Sequence, residues 1–232
     1  MFDPMLMLIG IVFMIIGLVV SQRLKNKFKQ YSQEPLLNRL TGKQVAEKML
    51  RENGIYDVKV VTHSGFLSDH YNPLTKTVNL SEDVFNGNHV AAAAVAAHEC
   101  GHAVQHASAY PWLGFRSAMV PVVQLSSYIM NMMVFAFMFG AYFAPQMGNT
   151  LLLVYIICQL IVTVFALVTL PVEVDASKRA LAWLDSSRMT SGTEHEHAKD
   201  ALTWAAYTYF VSALAAIATL IYLVSVFLNR RD

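Results

Sequence analysis

Four long apolar runs dominate the chain, at about 4–21, 118–144, 150–171 and 205–228, with polar segments between them. Crossing the hydrocarbon of a bilayer takes roughly 20 residues of helix. The last three runs meet that length and the first is marginal. No cationic residue precedes the first run, and Val19-Val20-Ser21 is no small-x-small cleavage site. It therefore reads as a retained anchor rather than a signal peptide. The second run carries Gln124, Ser126, Ser127 and Asn131, polar groups expected to face neighbouring helices rather than lipid. Pro145, Gly148 and Asn149 suit a short turn, so the second and third runs should form a hairpin.

The polar segments have their own periodicity. In the first, about 22–117, Thr41-x-x-Gln44 opens a helix as a capping box, Val45 and Met49 share a face, and Gly54 stops it. Asp57 to Thr62 alternates like a strand, Asn72-Pro73 marks a turn, and Lys76 to Leu80 alternates again. Ser81 and Asn88 suit helix caps. The alanine-rich run from His89 to about Ser108 is a strong helix by propensity. In the second polar segment, about 172–204, Pro171 suits a helix start or a kink. Apolar residues then recur at helical spacing from Val172 to Leu184, and Ser186 to Gly192 reads as a loop. Thr193-x-x-Glu196 is a second capping box, for a last helix beginning near 194. The predicted fold class is mainly α: a polytopic membrane protein with about four transmembrane helices and a small α+β unit. Its parts are an anchor at 1–21, a folded unit at 22–117, a transmembrane hairpin at 118–171, a helix and loop at 172–204, and a C-terminal transmembrane helix at 205–232.

Composition agrees with that picture. Of the 232 residues 55% are hydrophobic and only 14% charged, against about 25% charged in soluble domains. A net charge of +1, with no basic patch interleaved with aromatics, sets nucleic-acid binding aside. The two cysteines, Cys100 and Cys158, read as small buried apolar residues rather than a disulfide. Arg23, Lys25, Lys27 and Lys29 follow the anchor, Lys178, Arg179, Arg188 and Lys199 follow the third run, and the turn at 145–149 has no cation. The positive-inside bias then puts both polar segments in the cytoplasm, although Arg230 and Arg231 fall on the outer side. The run 23–29 also suits contact with anionic lipid. Tyr207 and Tyr209 suit the interfacial aromatic belt.

The chemistry concentrates at His98-Glu99-Cys100-Gly101-His102. Residues four apart on a helix lie on one face about 6 Å apart, so His98 and His102 can offer two imidazoles to one zinc ion. Glu99, one residue off that face, could take a proton from the water that zinc polarises. The pattern is short and arises by chance, but here it falls inside a strongly predicted helix, after a strand-like segment that could pair with an extended substrate. A catalytic zinc wants a third protein ligand and one open position. The metzincin pattern would need histidine where Ser108 stands, and His106 lies too far along a straight helix to share a metal with His98. No Asp or Glu occurs from 103 to 172; the first acids are Glu173 and Asp175, which the hairpin would return to the plane of the metal helix. Glu173 is the expected third ligand. Asp175, about 200° round the helix from it, should face away toward Lys178, Arg179 or solvent. His195-Glu196-His197 invites a second-metal reading, but adjacent helix residues point apart, and a solvated helix start suits it better.

Three blocks carry a family resemblance: Ser68-Asp69-His70-Tyr71-Asn72-Pro73, then His98 to His106, then Pro171-Val172-Glu173-Val174-Asp175-Ala176-Ser177. Together they resemble the YugP-type membrane zinc metallopeptidases over nearly the whole chain. More distantly the chain is similar to the HtpX and CAAX-prenyl-protease group, whose zinc glutamate also follows a transmembrane hairpin. The resemblance implies a zincin-like α+β unit, Zn²⁺ and peptidase activity. The wider group carries an Asp four residues after its ligand glutamate, orienting a zinc histidine, where this chain has Ser177. His70 is the first choice among the remaining histidines for an oxyanion or supporting role, and Asp175 and Ser177 are further candidates to support the site.

The resulting expectation is a multi-pass cell-membrane zinc peptidase with its site on the cytoplasmic side. Zn²⁺ would be held by His98, His102 and Glu173, with Glu99 as general base. The expected partners are a membrane-associated protein or peptide substrate and membrane lipid. Two rival readings are a non-catalytic zinc-binding membrane scaffold and an intramembrane site-2-type protease. The latter would need the histidines inside an apolar span, yet Gln105, His106 and Ser108 flank them.

Overall fold

A computed structural model describes residues 3–65, 67–140 and 148–229 of the chain. The elements run α1 (Pro4–Tyr31), α2 (Gly42–Glu52), β1 (Lys59–His63), β2 (His70–Asn72), β3 (Thr77–Ser81) and α3 (Glu82–Asn86). They continue with α4 (Val90–Ala107), α5 (Pro111–Gly140), α6 (Gly148–Ser186) and α7 (Thr193–Asn229). The protein is mainly helical with one small sheet, and α1, α5, α6 and α7 are long and apolar enough to cross a membrane. At 1.5 Å per residue the 39-residue α6 is about 58 Å long, well beyond the roughly 30 Å of bilayer hydrocarbon. The expected turn at Pro145 lies outside the described residues; Gly148 and Asn149 are the first residues of α6.

Contacts divide the chain into two units. One comprises Met1–Val19, Phe115–Leu170 and Thr208–Asp232; the other comprises Val20–Gly114 and Pro171–Tyr207. In the first, Gln159 and Thr163 of α6 both donate to the Ala216 carbonyl of α7. Interhelical bonds of this kind join helices whose apolar faces have no water to escape. Ser126 is buried as expected, but Gln124 and Asn131 are exposed. They lie seven residues apart, hence on one face, and Ser126 is about 200° round from Gln124, so one neighbour cannot cover all three.

The second unit holds the sheet and most of the buried core. The Thr41–Gln44 capping box opens α2, and Gly54, at φ +72°, closes it, with the Ile55 N–H returning to the Leu50 carbonyl. Strand order is β1-β3-β2, with β1 parallel and β2 antiparallel to β3. The central strand buries Val78 and Leu80, leaves Thr77 and Asn79 half-buried, and buries Ser81 at its end. Beneath it, Ala91 to Ala94, Ala96 and Ala97 of α4 are fully buried, small side chains that let α2 and the sheet approach closely. Cys100 is buried among them with its Sγ 3.6 Å from the Ala46 carbonyl oxygen, and both cysteines are free.

Several local details depart from the sequence reading. β2 is a third strand, and the expected second strand, β3, is the middle one. The cap of α4 is His89, whose Nδ1 accepts from the Ala92 N–H, rather than Asn88. Pairing of 34–36 with 88–90 keeps Asn88 extended and moves the helix start on by one residue. Ser81 precedes α3, but its hydroxyl bonds to Asp69 instead of capping. Pro171 neither starts nor ends a helix; α6 runs through it. At the start of α7, Glu194 accepts from the Leu37 and Ser191 N–H groups.

Candidate metal centre

The alanine-rich α4 carries His98 and His102 one turn apart on a buried face, their rings 4.8 Å apart and edge to face. Across from them α6 presents Glu173, which is 3% exposed. One Glu173 carboxylate oxygen lies 3.3 Å from His98 Nε2 and 3.5 Å from His102 Nε2. This is the one group of three His, Cys, Asp or Glu side chains placed to hold a metal among the described residues, with all ligand atoms within 4.8 Å. The donor set fits zinc: two atoms each about 2.0–2.1 Å from a tetrahedral ion lie about 3.3–3.4 Å from each other. Three protein donors also leave one position open for a reactant.

Gly101 makes the approach of α6 possible. A Cβ there would lie 2.5 Å from the Ala176 carbonyl oxygen, so only glycine lets the α6 backbone come so near the metal helix. The space between two histidines is thus a packing requirement as much as a motif spacing.

Each imidazole is held at Nδ1, which leaves Nε2 for the metal. His98 Nδ1 is 3.1 Å from the Ser177 hydroxyl, and His102 Nδ1 is 3.0 Å from the Gln105 amide oxygen. Ser177 occupies the position where the wider group places an aspartate, and here it touches the histidine directly. In the sequence Gln105 stands out only as one of the polar residues flanking the histidines, three positions after a metal-motif histidine. Asp175 faces away from the ligand atoms, meeting Gln105 at 2.8 Å and Arg179 at 2.6 Å.

Glu99 is 7% exposed, close enough to His98, His102, Glu173 and Asp69 to interact electrostatically with each. Burial holds its carboxyl above the usual carboxylate range, against the pull of the two imidazoles. Asp69 accepts from the Ser81 N–H at 2.7 Å and from the Ser81 hydroxyl at 3.1 Å, and burial raises its pKa as well.

The other histidines have different partners. His70 is exposed on β2, with Nδ1 2.8 Å from the Ser68 carbonyl oxygen and its ring edge-on to His63. His106 Nδ1 lies 2.8 Å from the Tyr71 hydroxyl. His195 meets the Thr190 hydroxyl and His197 the Glu34 carboxylate, so these two point to separate partners. Helix α4 is not among the four helices long and apolar enough to span a membrane.

The chain matches the family model described as "Putative neutral zinc metallopeptidase" over residues 6–228. It is 36% identical over 211 residues to "Putative membrane protease YugP" of Bacillus subtilis (strain 168), a match covering 90% of this chain and 91% of that protein. No solved structure gives a significant match.

Proposed function

Because the chain belongs to the neutral zinc metallopeptidase family, we propose that it hydrolyses peptide bonds of membrane-associated substrates, with His98, His102 and Glu173 as zinc ligands. One observation carries this reading. Two imidazoles on α4 and a carboxylate over 70 residues further along the chain converge within 4.8 Å of one another, beside the buried Glu99. Zinc bound there would act as a Lewis acid, making water nucleophilic near neutral pH and polarising the scissile carbonyl.

The chain's own residues do the rest. Glu99 takes the proton from the attacking water and delivers it to the departing amine. Ser177 and Gln105 hold the two imidazole rings, so little reorganisation is needed as charge develops. An extended peptide would pair with the outer edge of β2, which has no partner strand among the described residues and whose Tyr71 touches His106 one turn beyond His102. The central β3 has both edges occupied and is not available for this.

The positive-inside pattern of 23–29 and 178–199 supports a site on the cytoplasmic face of the cell membrane. Substrates reaching it would therefore be cytoplasmic segments of membrane proteins or chains lying at the lipid surface.

Glu99→Gln tests the mechanism. The amide cannot act as a base, while the three ligands are untouched. Peptide hydrolysis should fall by about 10²–10⁴-fold or more with zinc content unchanged. Turnover that survives in purified Glu99→Gln protein contradicts the role, and zinc binding without chelator-sensitive hydrolysis in the wild type favours a non-catalytic scaffold.

A further inference from the structure

Gln105 is fully buried, polar, and plays no direct part in the chemistry above. Three residues after His102 on α4, it lies on that histidine's face. Its amide nitrogen donates to the Val172 carbonyl oxygen at 2.8 Å and to an Asp175 carboxylate oxygen at 2.8 Å, while its amide oxygen lies 3.0 Å from His102 Nδ1. A carbonyl and a carboxylate can only accept, so the amide cannot be turned end for end. The NH₂ end faces α6 and the carbonyl end faces the imidazole.

A consequence follows for the metal ligand. An amide oxygen can only accept, so His102 Nδ1 must carry the hydrogen, and the lone pair of the neutral ring then sits on Nε2, the atom beside Glu173. Arg179 anchors the arrangement from outside, 2.6 Å from the same Asp175 oxygen that Gln105 uses. His98 has no equivalent lock: the Ser177 hydroxyl can donate or accept, and so leaves the tautomer free. Gln105 also joins the two halves of the site in space, because Val172 is the residue before Glu173. One amide thus fixes both the tautomer of a histidine ligand and the turn of α6 that carries the carboxylate ligand.

We propose that Gln105 is a positioning residue that holds His102 as its Nδ1–H tautomer and ties that ring to the turn of α6 bearing Glu173. The proposal rests on the zinc-site reading above. A side chain kept only to fill space would tolerate methionine, which matches glutamine in length and shape. A side chain that orients a ligand would not, since the His102 N–H would lose its acceptor and the Val172 carbonyl the one donor that reaches it from α4.

The test uses the full chain in detergent, with zinc itself as the probe. Gln105→Met should bind zinc about 10–100-fold more weakly in competition with a chromophoric chelator, the usual cost of losing a group that orients a ligand. Asp175→Asn keeps an oxygen that can accept from the Gln105 amide, and should bind zinc close to the wild type. A second readout needs no metal: ¹⁵N spectra of histidine-labelled, zinc-free protein, recorded above the imidazole titration range. The wild type and Asp175→Asn should show His102 protonated at Nδ1, and Gln105→Met should lose that preference. Wild-type affinity in Gln105→Met overturns the proposal. So does a wild-type His102 whose Nδ1 carries no hydrogen, a result that stands even if Gln105→Met fails to fold. A wild-type chain that takes up no zinc is the separate signature of a failed zinc-site reading, and it removes the positioning role with it.

Discussion

Replacing Gly101 with alanine would put a methyl carbon 2.5 Å from the Ala176 carbonyl oxygen, 3.1 Å from its carbonyl carbon and 3.2 Å from its Cα. All three are backbone atoms of α6 and cannot rotate aside. Ordinary contact needs about 3.5 Å, so α4 and α6 must separate by roughly 1 Å. Glu173 lies less than one turn before Ala176, so its 3.3 and 3.5 Å approaches to the imidazoles should widen by a comparable amount. Helix propensity alone would make alanine better than glycine by about 1 kcal/mol, whereas forced overpacking costs about 1–3 kcal/mol. The expected net effect is a loss of up to about 2 kcal/mol, opposite in sign to propensity. A misplacement of about 1 Å can also cost on the order of 10²-fold in rate. Thermal unfolding in detergent, chelator competition for zinc and peptide hydrolysis would be measured on the same preparation. Gly114→Ala is the control, because nothing lies within 4 Å of a Cβ there. That variant should be as stable as the wild type or slightly more so. A Gly101→Ala protein that is stabilised like the control and binds zinc normally would refute the close-approach argument.

Other outcomes follow from different parts of the molecule. Burial raises the Asp69 pKa above its unfolded value, so the folded state holds that proton more tightly. The stability this contributes is fully present below the ordinary carboxylate range and is lost as pH rises through the raised value. Asp69→Asn keeps an oxygen for the Ser81 N–H and removes the buried charge, so it should flatten the decline in unfolding midpoint across that window. A midpoint clearly below wild type at neutral pH would contradict this. For topology, a tag at Asn149 should be reached from outside the cell, and a cysteine at Ser191 from the cytoplasm. Labelling of both from one side would overturn the hairpin and the assigned orientation.

What was legible in the sequence followed from local physics. The capping box at Thr41 is completed within four residues, and the alanine run from His89 needs no partner to favour a helix. Glu173 could be singled out because no other acid occurs in the preceding 70 positions, from 103 to 172. The features that escaped depend on contacts distant in sequence. β2 is three residues long and exists through its register with β3, too short for alternation to register. His89 caps α4 because Leu36 and Glu34 pair with the backbone beside it. Gln105 acquires its meaning from Val172 and Asp175, and Gly101 from Ala176, on a helix that meets α4 only after a long apolar stretch of chain. Ser177 stood out through family resemblance alone, and its contact with His98 required the packing of α6.

The central claim is that His98, His102 and Glu173, and not Asp175, make the zinc site. Zinc content of the wild type, Glu173→Ala and Asp175→Ala, purified identically in one detergent, tests it most directly. Losing a ligand should cost the metal outright, whereas losing a group behind a ligand typically costs about 10–100-fold in affinity. The expected result is zinc retained in the wild type and largely retained in Asp175→Ala, with Glu173→Ala nearly empty. An empty Asp175→Ala beside a zinc-loaded Glu173→Ala would contradict the assignment.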